Sequence, residues 1–171
     1  MKKPTILIII LLIVTTAAVS VTVWALFFRD DTVILAPDYA PIETEPNAET
    51  IPNDSGNRVE SPQGGGSVSL SYSTEVTIDL SEGTASLYFG NPGKSNHDMV
   101  LQIVIQDTVI LQSGRLTPGN QVMKLDLLSG SERILQPGGY DGILLIFYYN
   151  QQSGEKAMVN TEIPVSITVK E

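Results

Sequence analysis

The chain has 171 residues, 42% of them hydrophobic, and a formal net charge of −9. So acidic a balance argues against nucleic acid as a partner, because phosphate binding needs clustered Lys and Arg. With no cysteine and a single histidine, His97, disulfides, thiolate metal sites and a Cys nucleophile are excluded, and imidazole chemistry is confined to one position.

Residues 5–28 are 24 consecutive positions without a charge. As a helix rising ~1.5 Å per residue this run is ~36 Å long, enough for a hydrocarbon core of about 30 Å with some tilt. Lys2 and Lys3 precede it, and Arg29, Asp30 and Asp31 follow. Because the positive flank stays in the cytoplasm, residues 1–29 are expected to be a single-pass signal anchor in the cell membrane, with all that follows extracytoplasmic. Trp24, Phe27 and Phe28 fall where an interfacial aromatic belt sits. The alternative is a cleavable signal peptide, with Ile6–Val14 as its apolar region and Ala18-Val19-Ser20 as a small-x-small site. Cleavage there would leave the apolar run Val21–Phe28 as a bare N-terminus.

Residues 30–66 change character. Eight acids lie here against one base, Arg58, and Pro37, Pro41, Pro46, Pro52 and Pro62 interrupt any regular element. Little apolar content offsets the entropy of ordering such a segment. A disordered stalk is expected, reaching about 35 Å as a flexible coil; a docking tail for a basic partner is the alternative.

From residue 67 onward the apolar period becomes two. Val68, Leu70 and Tyr72 alternate with serines, and Val76, Ile78 and Leu80 with polar residues. Leu87 and Phe89 lead into the turn cluster Asn91-Pro92-Gly93. Met99, Leu101, Ile103 and Ile105 form a strand whose other face carries Val100 and Val104, so it is expected to be central in its sheet. Gln106-Asp107-Thr108 reads as a tight turn into Val109–Leu111. Strands follow at Val122–Leu127, Gly142–Tyr149 and Ala157–Val169. In the last, Pro164 cannot donate to a ladder and should mark a bulge or an edge. No helical period is evident. Eight or nine short strands with turn signals about every ten residues predict an all-β, two-sheet antiparallel sandwich over residues 67–171.

Leu116-Thr117-Pro118-Gly119 and Leu135-Gln136-Pro137-Gly138-Gly139-Tyr140-Asp141-Gly142, each before an apolar strand, resemble stretches of the immunoglobulin-like domains of bacterial surface proteins. The resemblance implies that Tyr140 is a tyrosine corner, its hydroxyl bonded back to the preceding turn, and that Asn91–Ser95 makes the first crossing between sheets. It departs from antibody domains in lacking both cysteines and a core Trp. The chain as a whole is also similar to small membrane-anchored proteins of Gram-positive bacteria. Neither resemblance implies an activity.

The candidate chemistry is sparse. His97-Asp98 could assist a nucleophile, but sequence neighbours on an extended chain point apart, and a polar turn is the simpler reading. Asp126, Glu132, Asp141 and Glu155 could converge on Ca²⁺, which needs six to eight oxygens, yet no spaced Asp loop is present. Phe147, Tyr148 and Tyr149 could form an aromatic platform, although alternation leaves one face for the core. Gln102, Gln106, Gln112, Gln121, Asn150, Gln151 and Gln152 supply amides suited to glycan or peptide groups. No catalytic residue, metal or cofactor is expected. The reading is a non-catalytic binding or structural module that contacts an envelope protein. A carbohydrate-binding module is the alternative, and a hydrolase using Asp126 and Asp141 is a more distant one.

Overall fold

A computed structural model describes residues 11–20, 35–54 and 69–171. The chain divides into two units, Met1–Val33 and Ile34–Glu171. In the first, residues 11–20 are helical with exposed side chains. Thr15, Thr16 and Ser20 donate their hydroxyls to carbonyls one turn back, at 3.0, 2.7 and 2.9 Å, which satisfies them within an apolar helix. Among the described residues no helix is long and apolar enough to cross a membrane. The rest of the expected span, residues 5–10 and 21–28, lies outside the described residues.

Among its described residues the second unit is all-β apart from one helical turn, α1 (Ser131–Ile134). Its strands are β1 (Glu49–Thr50), β2 (Ser71–Tyr72), β3 (Glu75–Asp79), β4 (Thr84–Asn91), β5 (His97–Ile105), β6 (Thr108–Gln112), β7 (Asn120–Asp126), β8 (Gly138–Asn150) and β9 (Lys156–Lys170). They form one continuous sheet in the order β1-β7-β4-β3-β9-β8-β5-β6, with β2 also paired to β4. This differs from the two separate sheets expected. β3 is the joint, because it pairs antiparallel with β4 and parallel with β9. The sheet curls about that joint, and inward residues of β3 to β9 meet in one apolar cluster that includes Ile78, Phe89, Leu101, Ile110, Val122, Ile146 and Ile167. Met99, Leu101, Ile103 and Ile105 all point into it, as their alternation requires. The turn between β5 and β6 has Gln106 and Asp107 at φ of 47° and 64°, the left-handed pair whose twist suits a two-residue hairpin.

The stalk expectation is corrected for residues 35–54, which lie along the β unit as a strap. The Ala36 N–H donates to Gln112 Oε1 at 3.0 Å, and Tyr149 donates its hydroxyl to Pro37 O at 3.0 Å. Asp38 O accepts from Lys156 N at 2.9 Å, and Ala40 N donates to Gly154 O at 2.7 Å. Further along, Arg115 N donates to Glu43 O and Glu45 N to Arg115 O, at 3.1 and 3.0 Å. β1 then pairs with the outer edge of β7, and the Asp54 carboxylate accepts from Gly93 N–H. Proline-rich, acidic sequence reads as disorder because it cannot build a ladder of its own. Here its backbone groups find partners in side chains, loop backbone and, at β1, the edge of β7.

The strap depends on Glu45 and Gly114. The Glu45 carboxylate is buried and accepts from Gly114 N at 2.7 Å and Asn47 N at 3.0 Å. A Cβ on Gly114 would stand 2.8 Å from Glu45 N and 2.9 Å from Glu45 Cα, both backbone-linked atoms that cannot swing away. On the opposite face of the strand pattern, β9 alternates as expected only in its second half. Ile163, Val165, Ile167 and Val169 are buried, whereas Val159 is exposed. The β8–β9 register shifts between Phe147 and Tyr149, and β3 pairs with β9 only from Ser166 on. Ser166 N donates outward to Thr74 O. Pro164, two residues earlier, turns its nitrogen to that same side, so a proline stands where β9 has an open edge.

Tyr140 opens the core section of β8. Its hydroxyl donates to Gln136 O at 3.0 Å and accepts from Gln136 N at 3.2 Å, while its half-buried ring packs on the core.

Two predictions follow from these contacts. Glu45→Ala strands the Gly114 donor and should lower stability by about 1–3 kcal/mol; Gly114→Ala should lift the strap, read as faster proteolysis within residues 37–54 while the β unit stays cooperative. Tyr140→Phe should cost about 0.5–1.5 kcal/mol. Tyr140→Ala should cost about 2–3 kcal/mol, below the ~3–5 typical of a fully buried aromatic. Urea midpoints of the variants decide both.

Candidate functional site

The loops between β4 and β5 and between β8 and β9 lie at the same end of the curl, brought there by the pairing of His97 with Asn150. Between them is an open hollow lined by Asn96, Asn150, Gln151 and Gln152. Its floor is held by local bonds. Asn150 Oδ1 accepts from Gln152 N at 2.8 Å and Ser153 N at 3.0 Å, an Asx turn that fixes the hairpin tip. Gly154, at a φ of 73°, completes the reversal in a conformation that favours glycine. The Gln151 amide donates to Asp98 Oδ1 at 3.1 Å.

Asp98 is buried and also faces Arg115 Nε, at 3.7 Å. Because the Arg115 backbone carries Glu43 and Glu45, the hollow and the strap share one support. A second support is Asn91, which is fully buried. Its amide donates to His97 O and Leu116 O, each at 2.9 Å. It thereby ties the β4–β5 crossing to the β6–β7 crossing. Of the four amides, Asn150 is held by the Asx turn and Gln151 by Asp98, and amide groups of this kind can both donate to and accept from hydroxyl or peptide groups.

Other sequence candidates are dispersed. His97 and Asp98 point to opposite faces of β5. The His97 ring stands edge-on to Tyr148 at a centroid distance of 6.4 Å, while Asp98 joins Arg115. Asp126 ends β7 opposite Thr84, Asp141 lies on β8 opposite Ser166, Glu132 is on α1, and Glu155 bridges to Tyr39. Among the described residues no group of three or more His, Cys, Asp or Glu is placed to hold a metal ion.

Nor does an aromatic platform form. Tyr148 points inward and its hydroxyl meets Thr161 Oγ1 at 2.6 Å. Phe147 and Tyr149 point outward, but the Lys156 ammonium sits 5.7 Å from the Phe147 ring centroid and Tyr149 is fully buried, bonded to the strap. Burial, then the nearby Asp38 charge, pushes the Tyr149 phenol up to about 12; burial raises Tyr148 as well. The missed feature is the coupling of strap to hollow. Its only sequence trace is Glu45, an acid whose burial no local pattern announces.

No family model and no curated protein matches this chain. Among solved structures it is similar to AggA, the major subunit of aggregative adherence fimbriae type I from Escherichia coli. That likeness has 15% identity, covers 66% of this chain and 99% of that one, and has a TM-score of 0.32.

The Tyr149 environment predicts a pH dependence. The phenol stays protonated in the fold up to about 12 but ionises near 10 in the unfolded chain. Its contribution is therefore fully present below pH ~10 and lost as pH rises toward ~12. The urea midpoint should fall across that window, and Tyr149→Phe should lessen the fall while lowering the midpoint at neutral pH. An unchanged alkaline slope in the variant would contradict this.

Proposed function

We propose that this chain is a non-catalytic extracytoplasmic module, held in the cell membrane by residues 5–28, whose immunoglobulin-like β unit binds an envelope protein through the amide-lined hollow. The hollow carries the reading. Asn96, Asn150, Gln151 and Gln152 converge from two loops braced by Asp98, Arg115 and Asn91, and such loops at one end of a rigid sheet are where binding surfaces are commonly built. The immunoglobulin-like assignment draws support from the strand order, with β3 bridging the two halves of the curl, and from the Tyr140 bond to Gln136. The anchor reading draws on the uncharged run and the Lys2/Lys3 flank. A glycan ligand is the second reading, favoured because the lining is made of amides, whose paired donor and acceptor suit sugar hydroxyls.

Photo-crosslinking from Gln152 in the full-length protein, in its native membrane, tests this. An adduct with one envelope protein is expected, lost on Gln151→Ala and absent when the probe replaces Ile134. Retention of the protein on cell-wall polysaccharide, abolished by the same change, would favour the glycan instead. Neither adduct nor retention would overturn the assignment of the hollow.

A further inference from the structure

The basic side chains of the β unit are not all engaged alike. Lys124, Arg133 and Lys156 each stand against an acid, at 2.7 Å from Glu82, 3.8 Å from Glu132 and 3.7 Å from Asp38. Arg115 differs. Among the described residues its one ion-pair contact is Nε to Asp98 Oδ2 at 3.7 Å, too long for a hydrogen bond, and that Nε is buried without an acceptor. Arg carries five N–H donors in a planar fork. Here a buried carboxylate holds the fork in place without accepting from it, and the Arg115 side chain is 32% exposed.

Asp98 also fixes where the fork stands. Its Oδ1 accepts from the Gln151 amide at 3.1 Å, and Gln151 lines the hollow. The guanidinium is therefore one carboxylate away from the hollow's lining. On the other loop, Lys94 is exposed on the turn that Ser95 N closes by donating to Pro92 O at 2.8 Å, two residues before Asn96. Among the described residues Lys94 has no acid within ion-pair distance. The acids at this end are already engaged. Asp54 accepts from Gly93 N–H, Asp98 is held as above, and Glu155 accepts from Ser153 Oγ at 3.3 Å.

We propose that Arg115 takes a carboxylate of the partner, so that the hollow recognises an acidic peptide segment. The inference rests on the protein-binding reading given above and names that partner's chemistry. A carboxylate offers two oxygens to the two parallel N–H groups of a guanidinium, and such charge-assisted pairs are about twice as strong as neutral ones. A sugar hydroxyl offers one oxygen to the same fork. Gln151, whose amide nitrogen serves Asp98, keeps its Oε1 for a peptide N–H. Lys94 adds attraction from the facing loop. The chain's net charge of −9 repels an acidic segment at long range, so recognition is by contact at this end.

Titration of the unmodified full-length protein in detergent micelles tests this, with N-acetyl-Glu-Gly-Glu-amide, its Gln-Gly-Gln counterpart and digalacturonate as probes. The acidic peptide should bind severalfold tighter than the amide one. It should move the side-chain NMR signals of Arg115 and Gln151 and leave Arg133, on α1, unmoved. Lys94→Gln should weaken the acidic peptide severalfold. Glu43→Gln should tighten it, because Glu43 is an exposed acid on the strap segment whose carbonyl receives Arg115 N–H. Equal binding of the two peptides, or binding of neither, with the Gln152 photo-adduct still formed, would overturn the carboxylate inference and leave the hollow's assignment standing. Binding of neither together with no adduct would overturn both. Acidic-peptide binding that leaves the Arg115 signal in place would remove Arg115 from the role, and a preference for digalacturonate would overturn the peptide in favour of an acidic glycan.

Discussion

β5 is buried on both faces from Asp98 to Ile103, and a strand of that kind must be covered twice. The curl of the sheet covers Met99, Leu101, Ile103 and Ile105 with the inner faces of the other strands. The outward row is buried too: Asp98, Val100 and Gln102 are nearly or fully inaccessible, as is Tyr149 on the neighbouring β8, yet Val100 and Tyr149 do not belong to the inner cluster. The strap supplies this second cover. Burying a strand's outer face against 20-odd residues of irregular chain works only where each buried polar group has a partner. That is why the strap's course is marked by bonds from Gln112, Tyr149, Lys156, Gly114 and Arg115.

The same requirement shapes the end of the molecule where the candidate site lies. Asp98 is an outward β5 residue, so covering that face buries its carboxylate. Arg115 and Gln151 then serve as its partners. One of them belongs to the β6–β7 crossing that holds the strap, the other to the hairpin tip that lines the hollow. A buried carboxylate whose partners come from two loops ties those loops together, since freeing either leaves a charge uncompensated. The hollow and the seat of the strap are therefore linked through a single side chain.

The edges of the sheet are each covered or interrupted. β1 occupies the outer edge of β7. Leu128 N and Ser131 Oγ both donate to Ile110 O on β6. The open part of β9 carries Pro164 and Glu162, a residue without a donor and a charge, both of which discourage strand addition.

What the sequence alone determined was whatever depends on near neighbours along the chain. The period-two runs located β3 to β9, because a half-buried strand writes its two faces into alternate residues. The Gln106-Asp107 reversal, the placing of Tyr140 at the start of β8 and the central position of β5 were legible for the same reason. Tertiary structure decided three things. It decided that residues 35–54 are part of the fold, since a strap takes its hydrogen bonds from strands remote in sequence and has no period of its own. It made one curled sheet of the expected two, since the β3–β9 pairing joins residues about ninety positions apart. And it chose, among many amides, the four around one hollow, since convergence of two loops is a property of the β5–β8 register and not of either loop's composition.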